Sequence, residues 1–227
     1  MAAKFVNATD KIIIPDISLL EPTAATTWEA WFYYNVSTYQ NINTGAVYGQ
    51  DDERSIYVDN VNKIHARVDT TSGLVGINDP NTIPLQSWHH WAVTFDGSVG
   101  GGTVTLYKDG VQVAQSTGIG TALKSPTFTG HWIGFWSTLN DSAHGYISDF
   151  RIWNVARSAS QIAGYYNKRL NGNESGLVGY WKLNETSGTT AYDSTSNGNN
   201  GTLSGAVFSS DVGEPPFVNS VFLHNFI

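Results

Sequence analysis

Short runs of alternating apolar and polar residues, broken every few positions by Gly, Asn, Asp and Ser, dominate the chain. This is the pattern of an antiparallel sandwich or barrel. Lys11 to Ile14 reads as a short strand stopped by Pro15. Trp28 to Val36 puts Trp28, Ala30, Phe32 and Tyr34 on one face and Glu29, Trp31 and Tyr33 on the other, so both faces of that strand should be covered. Arg54–Val58 and Ile64–Val68 flank a polar turn and read as a hairpin, and Trp88 to Phe95 follows, ended by Asp96-Gly97. Thr103–Lys108 and Val111–Gln115 are joined by Asp109-Gly110, a type I′ hairpin signal because both central residues need φ > 0. Thr129–Trp136 and Gly145–Trp153 are two further strands joined by the polar loop Ser137–His144, and Gly176 to Leu183 resumes strand. One helix is predicted near 159–168, where Ser158 and Gln161 form a capping box ahead of Ile162, Tyr165 and Tyr166, which share a face.

A chain of 227 residues can bury a single large core, and no internal repeat or composition shift marks a second domain. The expected division is one domain over 1–211 and an apolar tail over 212–227. Charged residues are 14% of the chain against about 25% in an average globular protein, and the net charge is −7. That acidity removes the electrostatic term on which nucleic-acid binding and anionic membranes depend, so neither nucleic acid nor membrane insertion is expected. The absence of Cys excludes disulfides, thiolate metal sites and a Cys nucleophile. No signal-peptide apolar segment opens the chain and no run reaches the ~18 apolar residues of a membrane span.

Three segments resemble the bacterial and viral branch of the laminin-G-like, concanavalin-A-like jelly rolls, a group related to the pentraxins. They are Trp88-His-His-Trp-Ala-Val-Thr-Phe-Asp-Gly97 with Val104–Val113, then Ile133-Gly134 with Gly145–Asn154, then Gly176–Glu185 with Ser187–Asp193 and Asn197–Thr202. The resemblance implies an all-β, two-sheet antiparallel jelly-roll sandwich. It leaves function open, because relatives include glycan-binding modules, adhesion domains, glycanases and structural spacers.

Sites must therefore be argued from side chains. A glycanase needs two carboxyls about 5–9.5 Å apart, and no strand carries alternating acids; Asp51-Asp52-Glu53 is a consecutive loop cluster, readable as a solvated edge or as ligand contacts. His89 and His90 read as packed, hydrogen-bonded strand residues, so no enzyme is expected. Sugar recognition needs an aromatic platform beside polar groups. Trp132 and Trp136 fall on one face of their predicted strand, and Trp136 opens onto Asn140, Asp141 and His144, with Tyr48, Asp51 and Asp52 in a second loop; the alternative is that both Trp rings are core. Asp193 to Gly201 alternates oxygen donors with glycines, which suits either a structural calcium or a self-bonded Asx-turn loop. The candidate calcium ligands are Asp193, Asn197 and Asn199, with Asp10 and Asp16 as the partners the resemblance implies.

The function expected from these features is a non-catalytic, lectin-like module recognising a glycan or protein surface outside the cell, at a cell surface or on a virion. The alternative is a virion or surface-layer decoration protein, with assembly or homo-oligomerisation through the apolar tail. A glycanase is the third class.

Overall fold

The computed structural model describes residues 1–35, 44–50, 54–59, 61–125, 131–136 and 141–218, and for 44–50, Trp136 and Asp141 the backbone alone. In chain order the strands are β1 (Ala2–Phe5), β2 (Lys11–Ile14), β3 (Ala25–Tyr34), β4 (Thr44–Gln50), β5 (Arg54–Val58), β6 (Ile64–Thr70), β7 (Gly73–Asn78), β8 (Trp88–Asp96) and β9 (Thr103–Lys108). There follow β10 (Val111–Thr117), β11 (His131–Ile133), β12 (Phe135–Trp136), β13 (Asp141–Ser142), β14 (Gly145–Trp153), helix α1 (Ala159–Tyr165), β15 (Leu177–Trp181), β16 (Thr190–Ala191), β17 (Gly201–Ser204) and β18 (Val207–Ser209). The first sheet runs β10-β9-β8-β3-β14-β1-β18, with β15 also paired to β14; the second runs β16-β17-β2-β11-β4-β5-β6-β7; β12 and β13 pair separately. This is the predicted antiparallel sandwich with its one short helix.

The core lies between the sheets, where Trp28, Phe32, Trp91, Phe95 and Ile147 of the first meet Ile12, Ile14, Ile56, Val68 and Ile133 of the second. The β3 alternation holds: Trp28, Ala30 and Phe32 join this core, while Glu29 and Trp31 are equally buried on the opposite face. The predicted capping box is present, with Gln161 N–H donating to Ser158 Oγ at 3.2 Å and Ser158 N–H to Gln161 Oε1 at 2.8 Å.

Two expectations change. The predicted strand Thr129–Trp136 is broken at Gly134, whose φ of +77° is left-handed and where a Cβ would lie 2.3 Å from the Phe5 ring. Trp132 therefore belongs to the second sheet and Trp136 to the small β12-β13 pair, so the two do not share one strand face. Tyr48 lies in β4 rather than in a loop; the Gly residues of that segment hid its alternation. The described part of the tail returns along its own chain. Pro215 is buried, Phe217 packs edge-on against Trp31 at 6.0 Å with the Arg169 guanidinium 4.6 Å from its ring, and Val218 N–H donates to Asn167 O at 2.8 Å.

Candidate ligand-binding site

The two outer faces of the sandwich differ. Over the first sheet, α1 and the segment after it cover a buried ionic cluster. Glu29 Oε1 accepts from Trp153 Nε1 at 2.8 Å and from Arg151 Nη1 at 3.4 Å, and Glu29 Oε2 lies 3.3 Å from His90 Nε2. Arg151 also donates to the Lys168 carbonyl at 2.6 Å and to Asp149, whose other oxygen accepts from Tyr180 Oη at 2.5 Å. Burial works to raise the Glu29 carboxyl, but Arg151 and His90 outweigh it and hold the group well below its ordinary value. This part of the face is sealed, while further along it the half-exposed Tyr33 and Trp88 rings meet at 5.6 Å.

The outer face of the second sheet carries no helix. Along β11 the burial alternates, His131 and Ile133 inward and Trp132 half-exposed outward. Trp132 sits opposite Ile13 of β2 on one side, which is 43% exposed, and opposite Gly49 of β4 on the other. Gly49 has no side chain to cover the indole. The Trp132 ring is edge-on to Phe135 at 5.9 Å, and the Lys11 ammonium lies 4.3 Å from the Phe135 ring. On β5 and β6, two and three strands beyond β11, Tyr57 and His65 stack with ring centroids 5.0 Å apart. His65 Nε2 lies 2.8 Å from Asp59 Oδ2. Burial opposes ionisation of Asp59, yet the Lys63 and Val61 N–H groups and the His65 ring hold its carboxyl below the ordinary value. Trp132 on one side of β4 and the charged, hydrogen-bonded Tyr57–His65–Asp59 corner on the other are two aromatic patches, each of the composition a sugar ring requires.

The rim residues singled out from sequence are partly brought together. Trp136 pairs with Asp141 across β12-β13, and Tyr48 pairs with Ile133, the residue before Gly134. His144 follows β13 in a left-handed conformation with φ +46°, and its carbonyl accepts from Asn35 N–H at 3.3 Å. Asn140, Asp51 and Asp52 lie outside the described residues.

The 193–201 loop is organised around Asp193. Its Oδ1 accepts from Tyr180 N–H at 3.1 Å and Thr195 N–H at 2.9 Å, and its Oδ2 from Thr195 Oγ1 at 2.8 Å and Asn199 N–H at 2.9 Å. The side-chain amides of Asn197 and Asn199 both donate to the Val178 carbonyl, at 3.0 and 3.4 Å. Asp10 is committed elsewhere, its Oδ2 accepting from Val6 and Asn7 N–H at 2.8 and 2.9 Å. Asp16 gathers with Glu21 and His131, the one such group among the described residues, with His131 Nε2 at 2.9 Å from Glu21 and 3.9 Å from Asp16. Burial, aided by Arg54 and opposed by Asp16, pushes the His131 imidazole down to about 4. Of the five sequence-named oxygen donors, Asp193, Asn197 and Asn199 thus share one loop, while Asp10 bonds within the 6–10 turn and Asp16 faces His131. Sequence reasoning set Trp132 beside Trp136 without placing it in the site, and it missed Tyr57, His65 and Asp59. Alternation on β5 and β6 is the signal that could have found Tyr57 and His65.

Residues 6–163 match the family model of the concanavalin A-like lectin/glucanases superfamily, well over half of the chain. The chain belongs to that superfamily. Among solved structures, this superfamily member is similar to a protein of Bacteroides ovatus assigned to carbohydrate binding, at 20% identity and TM-score 0.73, covering 90% of this chain and 58% of that one. It is similar to the CBM40 module of Ruminococcus gnavus IT-sialidase bound to α2,3-sialyllactose, at 11% identity and TM-score 0.54 over 72% and 97% of the two chains. It is also similar to domain 4 of the extracellular arabinanase AbnA of Geobacillus stearothermophilus in complex with arabinotriose, at 20% identity and TM-score 0.52 over 71% and 74%. Likeness at these identities shows the fold alone. No match was found among curated protein sequences. No helix among the described residues is long and apolar enough to cross a membrane.

Proposed function

We propose that this protein is a lectin-like module that binds a glycan outside the cell and performs no glycosidic chemistry on it. The observation that carries the reading is Trp132, a large ring left half-exposed beside exposed Ile13 on a strand face that no helix covers among the described residues. Two modules of the same fold are bound to oligosaccharides, arabinotriose and α2,3-sialyllactose, which supports glycan as the ligand class. The rim set of Trp136, Asn140, Asp141, His144 and Tyr48, with Asp51 and Asp52, is the second place at which we propose contact. A glycan array on the wild-type chain, Trp132→Ala and Trp136→Ala tests both. Binding that survives Trp132→Ala and is lost in Trp136→Ala moves the site to the rim, and an array without hits for the wild type removes the reading.

Calcium at the 193–201 loop is proposed only as an exchange, in which the ion displaces donors that Asp193 now accepts from its own chain. A ligand that binds the native state alone adds about 2.7 kcal/mol at a hundredfold excess over Kd, so melts in millimolar calcium and in EDTA should separate by several degrees. Assembly through the tail, whether homo-oligomeric or on a virion, would rest on residues 219–227, since 212–218 already lie on their own chain. Light scattering on the chain cut after Val218 tests it.

A further inference from the structure

Ser87, His89 and Asp109 form a hydrogen-bonded line at the end of β8. Ser87 lies in the bend just before β8 and His89 is the second residue of that strand, and Asp109 sits in the type I′ turn that closes the β9-β10 hairpin, with φ +48°. The β8-β9 register pairs Trp91 with Lys108, which brings that turn beside His89 and His90. Ser87 Oγ lies 3.1 Å from His89 Nε2, and His89 Nδ1 lies 2.6 Å from Asp109 Oδ2. Asp109 Oδ1 accepts the His90 N–H at 2.8 Å, which fixes the plane of the carboxylate. Burial opposes ionisation of Asp109, but the His89 ring and the His90 N–H keep its carboxyl below the ordinary value. A carboxylate only accepts, so the Nδ1 facing it carries a proton, and in the tautomer with that single proton the Nε2 lone pair faces the Ser87 hydroxyl, which also lies 3.5 Å from the Leu85 carbonyl.

That is the arrangement of nucleophile, base and orienter that activates a serine, and it is recognised by roles and geometry rather than by chain order. All three residues are open to solvent in part: His89 and Asp109 side chains are 22% and 34% exposed and Ser87 is half-buried. Gln86, just ahead of Ser87, is held in the left-handed region at φ +55°, and its N–H donates to Tyr34 O at 2.9 Å. Asn35 N–H in turn donates to His144 O, so Ser87 stands at the same end of the sandwich as His144.

We propose that Ser87 is an activated nucleophile that accepts acyl groups from small carboxylic esters, with His89 as its base and Asp109 as the residue that positions His89. Ser87 Oγ attacks the ester carbonyl carbon as its proton passes to His89 Nε2; the ester C–O bond breaks, and the same proton leaves with the departing alcohol. Water, giving a proton to His89, then attacks the acyl-Ser87 carbon; the Ser87 oxygen departs, takes back that proton, and a carboxylic acid is released. This inference does not depend on the glycan reading.

The test uses the full chain, a fluorophosphonate probe with peptide mass spectrometry, and p-nitrophenyl acetate. One label per chain on Ser87 is expected, together with ester turnover that Ser87→Ala abolishes without moving the melting temperature. His89→Gln should slow labelling by about 10²–10⁴-fold, the usual contribution of a positioned base. Should that variant fold poorly, the wild-type labelling rate in heavy water decides instead: it should fall, as a step with proton transfer to a base does. No label, a label on another serine, an undiminished rate in folded His89→Gln, or a rate unchanged in heavy water would each overturn the proposal.

Discussion

The two outer faces start from the same kind of strand and end differently. On β3 and β14 the outward Glu29, Trp31 and Arg151 lie under α1 and the 165–170 segment, where each charge has a partner, while the outward Tyr33 beyond them stays half-exposed. On β11, β5 and β6 the outward residues are Trp132, Tyr57 and His65, partly exposed with no helix above them. The lesson is that an outward ring in a sandwich is informative only with its cover: Trp31 is as aromatic as Trp132, but its indole N–H is spent on the Tyr166 carbonyl at 3.0 Å and Phe217 lies against it.

Four experiments would break or sharpen that contrast. The largest effect is expected in the sealed face, where Glu29→Ala strands the Arg151 guanidinium and the Trp153 N–H in a dry site. A loss of about 3–5 kcal/mol in urea unfolding is expected for a broken buried pair, and a loss below 1 would mean that water reaches the cluster. Because Glu29 is held below its ordinary value of 4.5 in the folded state, its contribution is present above that pH and is lost as the pH falls further.

His131 gives the next effect. Its imidazole falls from an ordinary 6.5 to about 4 on folding, so the unfolded chain binds the proton first and stability drops as pH falls between those values. The drop from this group is on the order of 3 kcal/mol, and His131→Asn should flatten that part of a stability–pH curve; an unchanged curve would place the dependence on another group. Asp193→Asn comes third. An amide cannot accept all four donors of the loop, and about 1.5–3 kcal/mol should be lost for hydrogen bonds to a charged group, with or without calcium in the buffer. A variant that loses stability only when calcium is present would show that the ion, not the loop's own bonding, is what Asp193 serves.

The smallest stability effect belongs to the open face. Trp132→Ala should cost about 1 kcal/mol or less in unfolding while weakening glycan binding at least roughly tenfold, as a contact residue of the hot-spot kind does. The reverse outcome, a crippled fold with intact binding, would make Trp132 core and would make the two faces alike.

Much of the fold was legible because its signals are local. The alternation of β3 and β14, the Asp109-Gly110 turn and the Ser158–Gln161 box each follow from a few neighbouring residues. Short or Gly-rich strands were missed, such as β1 and β4, because four to seven residues with small side chains carry little periodic signal. The candidate sites were less legible, since Trp132 and Trp136 look equivalent until Gly134 turns the chain between them.

By itself, then, the sequence determined an acidic, Cys-free, antiparallel sandwich and the side of each long strand on which its rings fall, since backbone alternation and turn chemistry act over a few residues. Which outward face is covered, which oxygens Asp193 has already committed, and that Ser87, His89 and Asp109 meet were decided only by tertiary structure. These depend on β8-β9 register, on α1 docking and on hydrogen bonds between residues far apart in the chain, and a desolvated group takes whichever partner the fold brings to it.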